Sequence, residues 1–448
     1  MTLVVDRPGP GAPRPYRFPP VVHLPVAGGE VVAADLPGHS LAVAALVLDA
    51  GAGREPLSRE GVGSVLAKAL EEGTEARDSA AYAIALESLG TDLSTSIDWD
   101  SFQASVQVPV DRLPAAVGLL AEAVRRPRLD PPDVARVRDD EVTSLTMFWA
   151  SPGPRADYAL RADIFGADLR HRRPLHGDPS STAALRVSDV AEFHSTWFRR
   201  PGTLLVVGDL SRVDLRALGE AAFEGTGGDS VEGGVPFETP VRTDRRIVLV
   251  DRPGSVQSTL RLGNTAPHRS HPDYVPMILS GIVLGGAFTS RLNHLLREVR
   301  GYTYGIRAEY GLSRRFGRFV VSSGVQTAVT APALVDAVGE VARTQVEGVP
   351  EEELAVARDY RAGQFVVGMQ TPGSIAAALA TLVVHGLPDD YYPTLRSALL
   401  AAGAPEVSAA AAAHLRAQAM TLVVEGDAAV IRDDLVATDL GEVVDAEV

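Results

Sequence analysis

The 448-residue sequence predicts an α+β protein of two similar domains, each a mainly antiparallel β-sheet with helices packed on one side. Three observations carry this. Segments recur at one offset: TLLVVGD at Thr203 returns as TLVVEGD at Thr421, 218 residues on, and DPPDVARVRDD at Asp130 returns as PEEELAVARDY at Pro350, 220 residues on. One stretch, residues 224–242, is rich in Gly, Pro and acids, lacks apolar periodicity, and divides the chain into halves of similar length. Both halves interleave period-two apolar runs with amphipathic helical ones. The expected divisions are an extended Pro/Gly-rich arm over residues 1–20, a first domain over 21–223, the linker over 224–242 and a second domain over 243–448.

Residues 21–49 read as strands, with AGGE and LPGHS as turns. GVGSVLAKALEEGT (61–74) reads as the first helix, and Ala81 to Leu89 as a second that stops at Gly90. Two alternating strands follow, with Asp98 and Asp100 flanking Trp99 at what reads as a solvated hairpin turn. LPAAVGLLAEAVRRP is an amphipathic helix, broken and restarted at Asp130-Pro131-Pro132. A long helix then runs to Pro152, HRRPLHGDP is a loop, VSDVAEFHSTWF is a helix, and RRPGTLLVVGDL is a strand. In the second half RIVLVDRPGSVQSTLRLG is a strand, a turn and a strand, DYVPMILSGIVLGG a helix, GRFVVSSGVQ a strand, and the segments from APALVDAVGE to LATLVVHG helices.

Composition removes several function classes. Apolar residues make up 46%, ample for large cores, so disorder is excluded. A formal net charge of −15 argues against nucleic acid and anionic membrane as partners. With no cysteine, disulfides, thiolate ligands and a cysteine nucleophile are excluded. No signal peptide and no apolar span of about 18 residues is visible, so a cytoplasmic location is expected. The ten histidines are scattered. His171 with His176 and His268 with His271 are the close pairs, and neither has a Glu at metal spacing on a clear helix, so turn or surface roles are expected. DRPGSVQST and LGGAFTS lack both the P-loop lysine and the G-x-G-x-x-G spacing.

The densest motif is residues 285–306, GGAFTSRLNHLLREVRGYTYGI. Phe288, Leu292, Leu295, Leu296 and Val299 form the apolar stripe of a helix, which Thr289 or Ser290 can cap and Gly301 can end. YTYGIRAEY then alternates, which places Tyr302, Tyr304, Ile306, Ala308 and Tyr310 on one face of a strand. A tight turn between helix and strand would bring Arg297 and Tyr304 to one place, where both can donate hydrogen bonds to a carbonyl or carboxylate.

With DRPGSVQSTLRLG (251–263), this stretch resembles the C-terminal half of the pitrilysin/insulinase-type zinc metallopeptidases, a family that includes mitochondrial processing peptidase. The resemblance implies that Arg297 and Tyr304 are the family's R-x-x-x-x-x-x-Y pair, which contacts substrate. It also implies that residues 61–74 are the helix that carries H-x-x-E-H in active members. Here the two His positions are Ser64 and Lys68, and the Glu position is Ala67. Serine is a poor zinc ligand, alanine cannot take a proton, and an ammonium repels a cation. A third ligand, a Glu about 76 residues on, should fall near Ser144, with Glu141 the nearest acid. No metal and no catalytic residue is therefore expected in this chain. The resemblance further implies a heterodimer: a homologous H-x-x-E-H subunit binds zinc and hydrolyses the peptide, and this chain closes the chamber and binds peptide through Arg297 and Tyr304. The alternatives are an inactive structural subunit, like the cytochrome bc1 core proteins, or a peptide-capturing homodimer.

Overall fold

The structure, a computed structural model, describes residues 17–227 and 242–447. Most of the expected arm and of the expected linker lies outside those residues.

The first half supplies β1 (Val21–Val26), β2 (Gly29–Asp35), β3 (Leu41–Leu48), β4 (Ser94–Ile97), β5 (Phe102–Pro109) and β6 (Gly202–Gly208). They form one sheet in the order β1-β2-β6-β3-β5-β4, antiparallel except where β2 meets β6. The second half supplies β7 (Arg246–Asp251), β8 (Gln257–Ala266), β9 (Ile306–Leu312), β10 (Gly317–Gln326), β11 (Thr421–Gly426) and β12 (Glu442–Asp445). Their order is β9-β10-β8-β11-β7-β12. Five strands correspond one to one: β4-β5-β3-β6-β2 against β9-β10-β8-β11-β7. The sequence repeat is thus a repeat of topology. The sixth strand differs, being the antiparallel hairpin strand β1 in the first sheet and the parallel strand β12 in the second.

Both faces of each sheet are buried. Along β3, Ala42, Ala44, Leu46 and Leu48 point into a core shared with helices α1 (Val62–Ala69) and α2 (Leu113–Arg125), while Val43, Ala45 and Val47 point the other way. That is why LAVAALVL is an unbroken apolar run and not an alternating one. The opposite face meets a helix from the other half. Ile375, Ala376, Leu379 and Leu382 of the Pro372–His385 helix cover the first sheet. Reciprocally, Ala156, Ala159, Leu160 and Ile164 of the Pro154–Ile164 helix cover Val248 and Val250 of β7, Val320 of β10 and Val423 of β11. Pro154 and Pro372 are 218 residues apart, so these are the same repeat element exchanged between halves. The Pro154–Ile164 helix has no counterpart among the sequence-predicted elements. It is polar over most of its surface and buries only Ala156, Ala159, Leu160, Arg161 and Ile164, under the sheet of the other half.

Two sequence expectations change at this junction. The Asp98–Asp100 hairpin is not a solvated turn. Trp99 packs on His171 and Phe316 with ring centroids 4.8 and 6.0 Å away, the Arg161 guanidinium lies 4.6 Å from the Trp99 ring centroid, and the Asp100 carboxylate accepts the Arg314 N–H at 2.7 Å. His171 is buried in this junction and not on the surface. Both follow from the other half closing over the hairpin, which no local pattern reveals.

Burial holds three histidines neutral: it pushes His171 down to about 3, and His194 and His385 down to about 4. Each folded pKa lies below the unfolded value of about 6.5, so the unfolded chain binds more protons and stability falls as pH drops below that value. Near pH 5 the three together contribute a slope of about 4 kcal/mol per pH unit. Buried carboxyls whose pKa burial raises, such as Glu55 and Asp100, oppose it. Denaturant unfolding across pH 4.5–6.5 should therefore show a shallower slope in His385→Leu than in the parent. An unchanged slope would contradict the assignment.

Among the described residues no single helix is long and apolar enough to cross a membrane.

Candidate functional site

Helix α1 begins after Gly61, whose φ of 88° suits glycine. Its first turn is clamped by Glu55: the Gly61 and Gly63 amides donate to the two carboxylate oxygens, each at 2.9 Å, and Arg170 donates to Oε2 at 2.6 Å. The Glu55–Arg170 pair is buried, and burial raises the Glu55 pKa against the lowering effect of the guanidinium and the two amides. Arg170 also donates to the carbonyls of Pro174 and Leu175, which sets the loop that carries His176.

That loop brings His176 to the zinc-motif positions. Ser64 Oγ lies 2.9 Å from His176 Nδ1, and burial lowers the His176 pKa. Ala67 is buried in the core of the first half. Lys68 pairs with the buried carboxylate of Glu141, which comes from the Pro131–Ala150 helix. This last contact corrects the sequence reading. Ser144, where an acid was sought, is exposed and its hydroxyl donates back to its own helix at Asp140. Glu141, about one helical turn earlier, faces the motif instead. An acid is therefore kept opposite α1, and the ammonium of Lys68 supplies its positive charge. Along this face of α1, residues 64, 67 and 68 thus offer a hydroxyl, a methyl and a cation.

The second half presents the other candidate pair. Residues 282–286 lie directly on β9: a Cβ on Gly285 would come 2.5 Å from the Ala308 nitrogen. A short helix with wide turns over Asn293–Val299 follows. It closes through Arg300 N–H to the Leu295 carbonyl at 3.0 Å and Tyr302 N–H to the Leu296 carbonyl at 2.9 Å, with Gly301 at φ 67°. Gly301→Ala should cost about 1 kcal/mol of unfolding free energy, since an alanine is strained in that region; no loss in a denaturation midpoint would contradict this.

The expected apolar stripe is only half buried. Leu292 and Leu296 are in the core, but Phe288 is 69% exposed and Val299 60% exposed, because the helix is short and its ends project past the sheet. The expected strand also starts late, at Ile306, so Tyr304 does not share a face with Ile306 and Ala308. It stands in the connecting loop, 98% exposed. Thr303 holds that loop by donating to the Gly305 and Gly324 carbonyls, each at 2.8 Å. Asn293, which sequence reading passed over, ties helix to strand: its amide donates to the Ile306 carbonyl at 2.8 Å and its oxygen accepts the Ile306 N–H at 3.3 Å. Arg297 lies with its guanidinium carbon 3.9 Å from the Phe288 ring centroid and its Nε 3.4 Å from Glu298. Arg297 thus lies in the last turn of the short helix, and Tyr304 in the loop that leads into the edge strand β9.

Comparison with known proteins places both halves in one family. Residues 30–171 match the insulinase family profile (peptidase family M16), and residues 184–360 match that of the peptidase M16 inactive domain. An uncharacterized zinc protease of Mycobacterium tuberculosis is 26% identical over 378 residues, covering 83% of this chain and 84% of its own. Subunit 1 of the mitochondrial cytochrome b-c1 complex of Bos taurus is 24% identical over 240 residues, covering 53% of this chain and 50% of its own. The crystal structure of a peptidase M16 inactive domain from Pseudomonas fluorescens shares the fold, with a TM-score of 0.82 at 24% identity over 91% of this chain and 98% of that one. With the first half matching the insulinase profile and the second the inactive-domain profile, the chain belongs to the M16 (insulinase) peptidase family as a non-catalytic member.

Proposed function

We propose that this chain is the zinc-less subunit of a two-subunit metallopeptidase. The partner carries H-x-x-E-H, binds zinc and hydrolyses the peptide bond. This chain, with residues 21–223 and 243–448 as its two domains, closes the chamber, and Arg297 and Tyr304 hold the substrate backbone. The observation that carries the reading is Tyr304. A tyrosine that is 98% exposed on a loop pinned by Thr303 adds little to the fold, yet presents a hydroxyl donor just before an edge strand, in the stretch that also carries Arg297. The residues at the expected motif support the same reading: the Lys68 ammonium supplies the counter-charge that the buried Glu141 carboxylate faces on α1. Copurification tests it, since a partner with H-x-x-E-H must be recovered with this chain.

The likeness to the bovine cytochrome b-c1 subunit supports a second reading, in which the fold serves as an inactive scaffold. A scaffold, or a homodimer that only captures peptide, would come down without any zinc-motif partner.

A further inference from the structure

We propose that the second half carries a transition-metal site of its own, formed by His271, Asp273 and His414, remote in sequence from the zinc-motif helix. One ligand atom from each of the three lies within 4.8 Å of the other two. Asp273 precedes the Tyr274–Gly281 helix and His414 ends the Ala404–His414 helix, so the site joins two packed helices from distant parts of the chain. His414 Nε2 is 2.8 Å from Asp273 Oδ2, and His271 Nδ1 is 3.9 Å from the same oxygen. Two ligands on a tetrahedral ion, with bonds of about 2.0–2.1 Å, stand ~3.3 Å apart. The observed separations bracket that value, so small side-chain rotations would seat an ion. The His271 and His414 rings are edge-on, with centroids 5.6 Å apart.

The donor set fixes the class of ion. Two imidazoles and one carboxylate suit Zn²⁺, Co²⁺, Ni²⁺ or Cu²⁺ and disfavour Ca²⁺ and Mg²⁺, which prefer all-oxygen sites. The surroundings also fit. The His268 ring lies 6.3 Å from that of His271, and its Nδ1 is buried without a hydrogen-bond partner among the described residues. A ring nitrogen left in that state is costly unless water reaches it, and a water bound to the ion would serve, His268 itself lying outside the three-residue cluster. From outside the site the His414 carbonyl accepts from Asn264 Nδ2 at 3.1 Å, and within it His271 Nδ1 accepts the Asp273 N–H at 3.1 Å. Ligation through Nδ1 of His271, the atom 3.9 Å from Asp273 Oδ2, would exchange that second bond for the ion, since the lone pair that accepts the Asp273 N–H is the one that would bind metal. The ion would clasp the two helices and add to stability whatever it adds in binding energy.

The test uses the isolated chain and the metal alone, so its failure leaves the two-subunit reading untouched. Metal-stripped protein is titrated with Co²⁺ and followed by visible absorption, and with Zn²⁺ by calorimetry and thermal unfolding. One equivalent should bind, with d–d bands in the visible and a raised Tm. His271→Ala, at a partly exposed position, should keep the parent circular dichroism and bind at least about tenfold more weakly, the least that losing even an outer partner costs. His414→Gln should do the same, and His39→Ala, at a distant exposed histidine, should not. Absence of binding at micromolar metal, or equal binding by the parent and His271→Ala, would overturn the proposal.

Discussion

Arg297→Ala and Tyr304→Phe should each lower kcat of the reconstituted two-subunit complex by about 10²–10³-fold, equivalent to about 2.7–4 kcal/mol, the range for losing one preorganised donor to a developing oxyanion. Assembly should be unchanged. Tyr304→Phe is the sharper variant, because it keeps the ring and removes only the hydroxyl donor. The tyrosine has no packing to lose, so a fall in turnover cannot come from a disturbed core. Arg297 rests on the Phe288 ring and beside Glu298, and the ring holds its guanidinium in position. Phe288→Ala should therefore act in the same direction with a smaller effect. Arg300 is the control. It closes the same helix but is engaged by Asp336 at 2.8 Å, and Arg300→Ala should leave kcat within about threefold, the range of a surface ion pair. Stopped-time peptide hydrolysis by the purified pair measures all four. Parental turnover in both Arg297→Ala and Tyr304→Phe would remove these residues from the mechanism.

Arg170→Ala should have the largest effect on folding, a loss of about 3–5 kcal/mol, because it leaves the Glu55 carboxylate buried without its counter-charge. It also frees the carbonyls of Pro174 and Leu175, so the loop that brings His176 to Ser64 loosens. The sign of its pH dependence follows from Glu55. Its folded pKa is already raised by burial, and removing Arg170 raises it further. Protonation then relieves the strain as pH falls, so the gap between variant and parent should narrow from pH 7.5 to pH 5.5. Urea unfolding at the two pH values checks this. The double variant Glu55→Gln/Arg170→Met should be less destabilised than Arg170→Ala alone, because it leaves no unpaired charge. If Arg170→Ala unfolds at the parental midpoint, the clamp on α1 is not what holds that helix in place.

The repeat was legible because it is written twice in one chain: TLLVVGD and TLVVEGD became equivalent strands β6 and β11, next to β2 and β7. The exchange of the Pro154–Ile164 and Pro372–His385 helices was not, although the two prolines stand at the repeat offset, because covering a sheet from the other half leaves no local pattern. In the motif region, local reading gave the Gly301 stop and the Leu292 and Leu296 core contacts. It placed Tyr304 in a strand because Y-x-Y-x-I alternates, whereas Asn293 and Thr303 hold the chain in a loop until Ile306. Glu141 was missed by seeking an acid at one position and not along one helical face. His271 and His414 are too far apart in sequence for spacing rules to pair them.

The account's central claim is that the chain works with a zinc-bearing homologue. The direct test is a native pull-down of this chain, made with His271→Ala so that the site proposed in the second half adds nothing to the metal count. Zinc and peptidase activity are then measured on the eluate. The account predicts a partner near 1:1 that carries H-x-x-E-H, about one zinc per pair, and hydrolysis by the pair that neither this chain alone nor a Tyr304→Phe pair reproduces. Recovery of this chain with itself only, without zinc and without hydrolysis, would contradict the claim and leave the scaffold or peptide-capture reading in its place.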